Sequence, residues 1–133
     1  MKIGEVIDSV LINDAAVSAI VGTSVFPLFA KQGAAYPLIT WRIDGGTETN
    51  ETKDGASTLD FVPIEVICFG QTYKVTADLA DKVRTALDRY SGTVNGVEIQ
   101  NIVFYDIEND YVESRNQEFE HFAILDFRMV LKN

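Results

Sequence analysis

The densest run of chemically capable side chains is Asp106-Ile107-Glu108-Asn109-Asp110-Tyr111-Val112-Glu113. Asp106, Glu108 and Asp110 stand two residues apart, as the first ligands of a calcium loop do. The rest of that loop is missing: its sixth position is Tyr111 where glycine is required, and its twelfth is Gln117 where a bidentate glutamate is required. A carboxylate pair could also serve glycoside hydrolysis, but one member then needs a desolvating cleft to raise its pKa, and an acidic hairpin offers none. The reading that remains is a solvated, acidic turn region between two strands, with no metal ligand set.

Other reactive types are sparse. The chain has one histidine, His121, and one cysteine, Cys68. A single cysteine excludes an internal disulfide and a thiolate zinc set. Its position in an apolar strand makes it a small buried hydrophobe. His121 falls on the apolar face of the last strand pattern, with no nucleophile that spacing places beside it, and reads as a hydrogen-bonded structural residue. Gly45-Gly46 lacks the following helix and the Lys-Ser/Thr pair of a phosphate loop. Trp41 and the tyrosines are not interleaved with basic residues, so no base-stacking platform is expected. Neither catalytic residues nor a cofactor site can be assigned.

The elements that hold these residues follow from periodicity. Ile3, Val6, Ile7, Val10 and Leu11 recur at helical steps, and Asn13-Asp14 ends that helix. Asp14 can cap a second short helix over Ala15–Val21, with Gly22 closing it. Ser24–Phe29 is a short extended segment that Pro27 keeps at an edge. After a loop at Lys31–Ala35, Tyr36-Pro37 opens a strand. Gly45 to Gly55 is polar throughout and reads as a long mobile loop. Thr58–Phe69 is apolar on both faces and reads as a central strand covered on both sides. Thr72 caps the strongest helix, whose apolar positions run Tyr73, Ala77, Ala80, Val83, Leu87 and Tyr90 until Gly92. Asn95-Gly96 marks a tight turn. Strand patterns follow from Val97 to about Ile107 and from Phe119 to Leu131.

The implied architecture is α+β: a mostly antiparallel sheet of four to five strands, a long helix packed on one face, and two short N-terminal helices. The 133 residues, 47% apolar and 23% charged, suit one domain spanning 1–133. Glu5 and Asp8 interrupt any signal-peptide core, and no window reads as a membrane span. A net charge of −9 disfavours counterion-release binding to DNA or to anionic lipid.

In order and spacing, several segments resemble the tail completion proteins of long-tailed bacteriophages and prophages, a group long catalogued as a domain of unknown function. They are Val25-Phe26-Pro27, Gln32-Gly33-Ala34 leading to Tyr36-Pro37-Leu38-Ile39, Cys68-Phe69-Gly70-Gln71-Thr72-Tyr73, Ala77 to Leu87, the acidic Tyr105–Glu113 stretch and Phe127-Arg128-Met129-Val130. The likeness covers nearly the whole chain; an aromatic residue often stands in that family where this chain has Cys68. The resemblance implies a structural virion protein at the head-proximal end of the tail tube, as a hexameric ring around the DNA channel. It implies no catalytic residue and no cofactor. Its partners would be further copies of itself, the tail tube protein and a head-completion or connector protein. Genomic DNA would pass through without specific binding, no membrane would be involved, and the protein would sit in the host cytoplasm during assembly. A carboxylate-rich channel wall would repel DNA phosphate.

A head-to-tail ring needs two unlike patches on each subunit. Polarity and segment length suggest Thr47, Glu48, Thr49, Asn50, Glu51, Thr52, Lys53 and Asp54, with Gln32, for one, and Asp106, Glu108, Asp110 and Glu113 for the other. Competing readings are a neck or head-completion connector, a small acidic metal- or protein-binding module, and a cellular regulatory binding domain.

Overall fold

Two caps set the helical layer. The Asp14 carboxylate accepts hydrogen bonds from the amides of Ala16 and Val17, both at 3.0 Å, and so separates helix α1 (Ile3–Asn13) from helix α2 (Ala15–Val21). Gly22 ends α2 at φ 60°, a left-handed conformation that suits glycine. The Thr72 hydroxyl accepts from the Val75 amide at 3.2 Å and opens helix α3 (Tyr73–Leu87). The computed structural model describes residues 3–28, 35–45, 48–49, 59–113 and 119–132.

The strands are β1 (Val25–Pro27), β2 (Leu38–Ile43), β3 (Glu48–Thr49), β4 (Leu59–Gly70), β5 (Gly92–Val94), β6 (Val97–Glu113) and β7 (Phe119–Lys132). They form one seven-stranded sheet in the order β1-β2-β4-β7-β6-β5, with β3 pairing β4 off that path. All pairings are antiparallel except β1 with β2. The α+β class expected from the sequence holds. The sheet is wider than four to five strands because β3 and β5 are two and three residues long, too short for an alternating pattern to register. The Asn95-Gly96 turn joins β5 to β6 at Val94↔Val97, with φ of 49° and 82° at the turn residues.

The helices cover one face of the sheet. Val6, Ile7, Leu11, Val17, Leu79, Val83 and Leu87 pack on Val62, Ile64, Val66 and Cys68 of β4 and on Ala123, Leu125 and Met129 of β7, all buried. Full burial of each large aliphatic side chain is worth about 1.5–3 kcal/mol relative to exposure. In β4, one face is buried while Phe61, Pro63, Glu65, Ile67 and Phe69 are only half-buried. The expectation that this strand is covered on both sides is therefore corrected. β4 is central, but its second face has no layer over it among the described residues, and aromatic side chains there stack on one another: Tyr36 on Phe69 at 5.9 Å, and Phe69 beside Phe122 at 6.2 Å.

Two further boundaries differ from expectation. α3 ends at Leu87 and not near Tyr90, because Arg89 turns to φ 66° and its amide donates to the Ile102 carbonyl at 2.7 Å. β6 continues to Glu113, six residues past the expected end, because β7 pairs with it along that whole length.

Candidate functional site

The uncovered face of the sheet carries the chain's densest described arrangement of charge. Register places Arg42 of β2 opposite Glu65 of β4, Glu65 opposite Asp126 of β7, and Asp126 opposite Asp106 of β6. Side chains directly opposite each other on one face lie about 4.5–5.5 Å apart at Cβ, so this is a row of one cation and three carboxylates across four strands. Asp44, just past β2, adds a fourth carboxylate, and ligand oxygens of Asp44, Glu65 and Asp126 all lie within 4.8 Å of one another.

Arg42 partly neutralises the row. Its Nε donates to Glu65 Oε1 at 3.0 Å and its Nη2 to Glu65 Oε2 at 3.3 Å, a two-pronged contact, and Nη2 stands 3.8 Å from Asp44 Oδ1. The Glu65 hydrogen bond is the main reason the guanidinium holds its proton more tightly than usual. Asp126 has no such contact with Arg42 described. Partial burial, then repulsion from Glu65, Asp44, Asp106 and Glu108, pushes its carboxyl above the ordinary aspartate range. Beside it Arg128 lies 4.4 Å over the Phe61 ring and donates from Nη1 to the Tyr105 hydroxyl at 3.3 Å. A cleft of about 290 Å³ opens between Asp44, Phe61, Pro63, Tyr105, Asp126 and Arg128.

What this arrangement can do is electrostatic. Arg42 already occupies the oxygens of Glu65 that a metal would need, and the cluster is open to solvent on its Asp44 side, where exposure is 51%. It can repel anions along one wall and accept cationic groups. The carboxylates oppose one another in the native state and are apart in the unfolded chain. A raised folded pKa means that the native form binds the proton more tightly than the unfolded one. Stability from this group is therefore greatest below the ordinary aspartate value and falls as pH rises through the raised one. Asp126→Asn is expected to stabilise the fold at pH 7 by about 0.5 kcal/mol, the scale of a solvent-screened cross-strand repulsion. Thermal melts should show the gain at pH 7 and lose it below the carboxylate range; an unchanged or lowered melting temperature at pH 7 would contradict the row.

The residues singled out from sequence fall in separate places. Glu48 and Thr49 are not loop but strand β3, opposite Phe61 and Asp60. Thr47, Asn50, Glu51, Thr52, Lys53, Asp54 and Gln32 lie outside the described residues. Asp106 and Glu108 are exposed on β6, opposite Asp126 and Ile124, while Asp110 and Glu113 stand opposite Phe122 and Phe119. β4 and β7 lie between strand β3, with Glu48 and Thr49, and strand β6. Asp106, Glu108 and Asp110 sit in extended backbone, which replaces the loop that a calcium site needs. Asp44, Glu65 and Asp126 did not emerge as a site from sequence reasoning. Their signal was only that Glu65 and Asp126 are charged residues in the middle of strand patterns.

Cys68 is fully buried, and burial pushes its thiol far above the range in which a nucleophilic thiolate forms. His121 is half-buried; its backbone carbonyl lies 3.4 Å from the Thr76 hydroxyl, and its ring stands edge-on to Tyr73 at 6.5 Å. Cys68 is thus the small buried residue its strand position suggested, and His121 stands at the end of the β4–β7 ladder, opposite Gly70. No helix among the described residues is long and apolar enough to cross a membrane.

Comparison with known proteins adds four findings. The family model described as Tail completion protein gp17 matches residues 5–132. Among solved structures, the fold is similar to a chain of the "Virion of native gene transfer agent (GTA) particle", with TM-score 0.71 and 14% identity, over 96% of this chain and 92% of that one. A second solved chain is similar at TM-score 0.56 and 10% identity, over 92% of this chain and 94% of its own. At these identities the structural matches establish a shared fold. No curated protein matches the chain.

Proposed function

The chain belongs to the tail completion protein gp17 family, and from that membership we propose that it caps the head-proximal end of a phage tail tube as a hexameric ring and helps join tail to head. The match of the family over residues 5–132 carries this reading. As a tail completion protein it is a structural component of the phage tail or neck, and its contribution is geometric. The tail tube protein lies on one side of the ring and a head-completion protein on the other.

Two features of the molecule support the ring. One face of the sheet, with no layer over it among the described residues, bears Asp44, Glu65, Asp126 and Asp106, and a wall of carboxylates lets the genome pass because it repels phosphate and offers no counterion-release binding. Among the described residues the sheet ends laterally in β1 and in the far part of β6 without a further strand partner, which leaves room for subunit-to-subunit contact.

Deleting the gene is expected to leave full heads and complete tails that do not join, with infectious titre lost and unjoined parts visible by electron microscopy. Normal infectious particles from the deletion would end the proposal. So would a reconstruction of the particle neck built entirely from other proteins.

A further inference from the structure

Strand β6 carries a run of the kind that pairs with copies of itself. Ile99 to Tyr105 reads Ile-Gln-Asn-Ile-Val-Phe-Tyr, with no charge, proline or glycine, between Glu98 and Asp106. Such a run is a self-association hazard where a sheet edge exposes it. The apolar runs of β4 and β7 have a strand on each side. Among the described residues β6 has β7 on one side and, on the other, the short β5, which reaches no further than Ile99.

Past Ile99 the end of α3 takes the place of a strand. The Arg89 amide donates to the Ile102 carbonyl at 2.7 Å, and the Phe104 amide donates to Asp88 Oδ1 at 3.1 Å. One residue of a neighbouring parallel strand would engage the same two groups, with its carbonyl oxygen where the Asp88 carboxylate stands. The Arg84 guanidinium, 4.0 Å over the Phe104 ring, holds the same turn from α3. Neither Asp88 nor Arg89 serves the helix itself. Asp88 is its C-cap, where the helix dipole disfavours a carboxylate. Arg89 takes φ 66°, a left-handed backbone that is unfavourable for a residue with a Cβ. What both reach is the β6 edge. An ionised carboxylate accepts hydrogen bonds and offers no donor, so strand pairing cannot continue from it.

We propose that Asp88 and Arg89 guard this edge, occupying the outer side of β6 at Ile102 and Phe104 so that the Ile99–Tyr105 run of one copy cannot pair with that of another. A second carboxylate acts in the same way further along, where Asp106 Oδ1 accepts from the Ile107 amide at 2.8 Å. The guard is a property of the free chain and does not depend on the ring reading.

Asp88→Ala and Asp88→Asn test it in the full chain. Asp88→Ala leaves the Phe104 amide open, and exchange of that amide should quicken about tenfold, the scale of one lost hydrogen bond to a charged group. The variant should also form thioflavin-binding assemblies faster than the wild type, with residues 99–105 protected from exchange inside them. Asp88→Asn keeps an acceptor oxygen and should stay close to the wild type. Val83→Ala, buried in α3 and away from the edge, supplies destabilisation alone and is compared at equal unfolded fraction. Should Asp88→Ala fold poorly, Arg89→Gly in the same chain relieves the left-handed backbone and keeps the Arg89 amide arm, and this double variant is read against Arg89→Gly alone. Assembly of Asp88→Ala no faster than that of Val83→Ala would overturn the guard. So would Asp88→Asn assembling as fast as Asp88→Ala, or assemblies whose protected core lies outside residues 99–105.

Discussion

Replacing Trp41 by alanine is expected to cost about 3–5 kcal/mol, the usual range for a buried large aromatic residue. Trp41 stands on the covered face of β2 opposite Val66 and is 7% exposed. Its indole N–H donates to Asp8 Oδ1 at 2.7 Å, a contact that spans 33 positions of sequence and fastens α1 to the sheet. Truncation empties the space under α1 and leaves the Asp8 carboxylate without that donor. Asp8→Ala should cost less, about 1–3 kcal/mol, because only the polar half of the contact is lost. Trp41→Phe should fall between the two. Urea unfolding of the three variants checks the order; a Trp41→Ala loss below about 1 kcal/mol would mean that α1 is not held as described.

Gly70→Ala is expected to destabilise by about 1–3 kcal/mol, although it adds one methyl group. A Cβ at this position would lie 2.5 Å from the Thr76 hydroxyl oxygen and 3.1 Å from the Thr76 backbone nitrogen. Neither has room to move. Thr76 is 1% exposed; its hydroxyl donates to the Thr72 carbonyl at 2.9 Å and lies 3.4 Å from the His121 carbonyl. The added methyl would therefore push the first turn of α3 away from the end of β4. Thr76→Ala removes the worst clash and leaves the backbone one. The cost of Gly70→Ala should then be clearly smaller in the Thr76→Ala background than in the wild type, a non-additivity expected of touching residues. Equal costs in both backgrounds would show that the close approach is not the cause.

The carboxylate row shows how far sequence reading reaches. Strand alternation puts Glu65 and Asp126 on the same sides as their half-buried neighbours, although the reading of β4 as covered on both sides left Glu65 no open face. Their meeting was not legible. It depends on the register Glu65↔Asp126, and on an irregularity between Phe104 and Asp106 in β6. Continuing the Phe104↔Phe127 pairing by one step would have put Tyr105, not Asp106, opposite Asp126. One extra residue in a strand thus decides whether an aromatic or a third carboxylate completes the row. The loop reading of 45–55 missed Glu48 and Thr49 for a related reason: a two-residue strand exists only because β4 is there to pair with it.

By themselves the amino acids determined the local features: the Asp14 and Thr72 caps, helix α3 with Ala80, Val83 and Leu87 inward (though Tyr73, read as apolar-face, is exposed and Thr76 and Leu79 are buried instead), the Asn95-Gly96 turn and the alternation of β7. Each of these depends on residues within a few positions of one another, and backbone sterics and side-chain spacing act at that range. Tertiary structure alone decided which strands neighbour which, which sheet face stays uncovered and which charges stand in line. Those follow from strand order and register, set by the joint packing of segments as distant as Arg42 and Asp126, so they come into being only when the whole sheet closes over its helices.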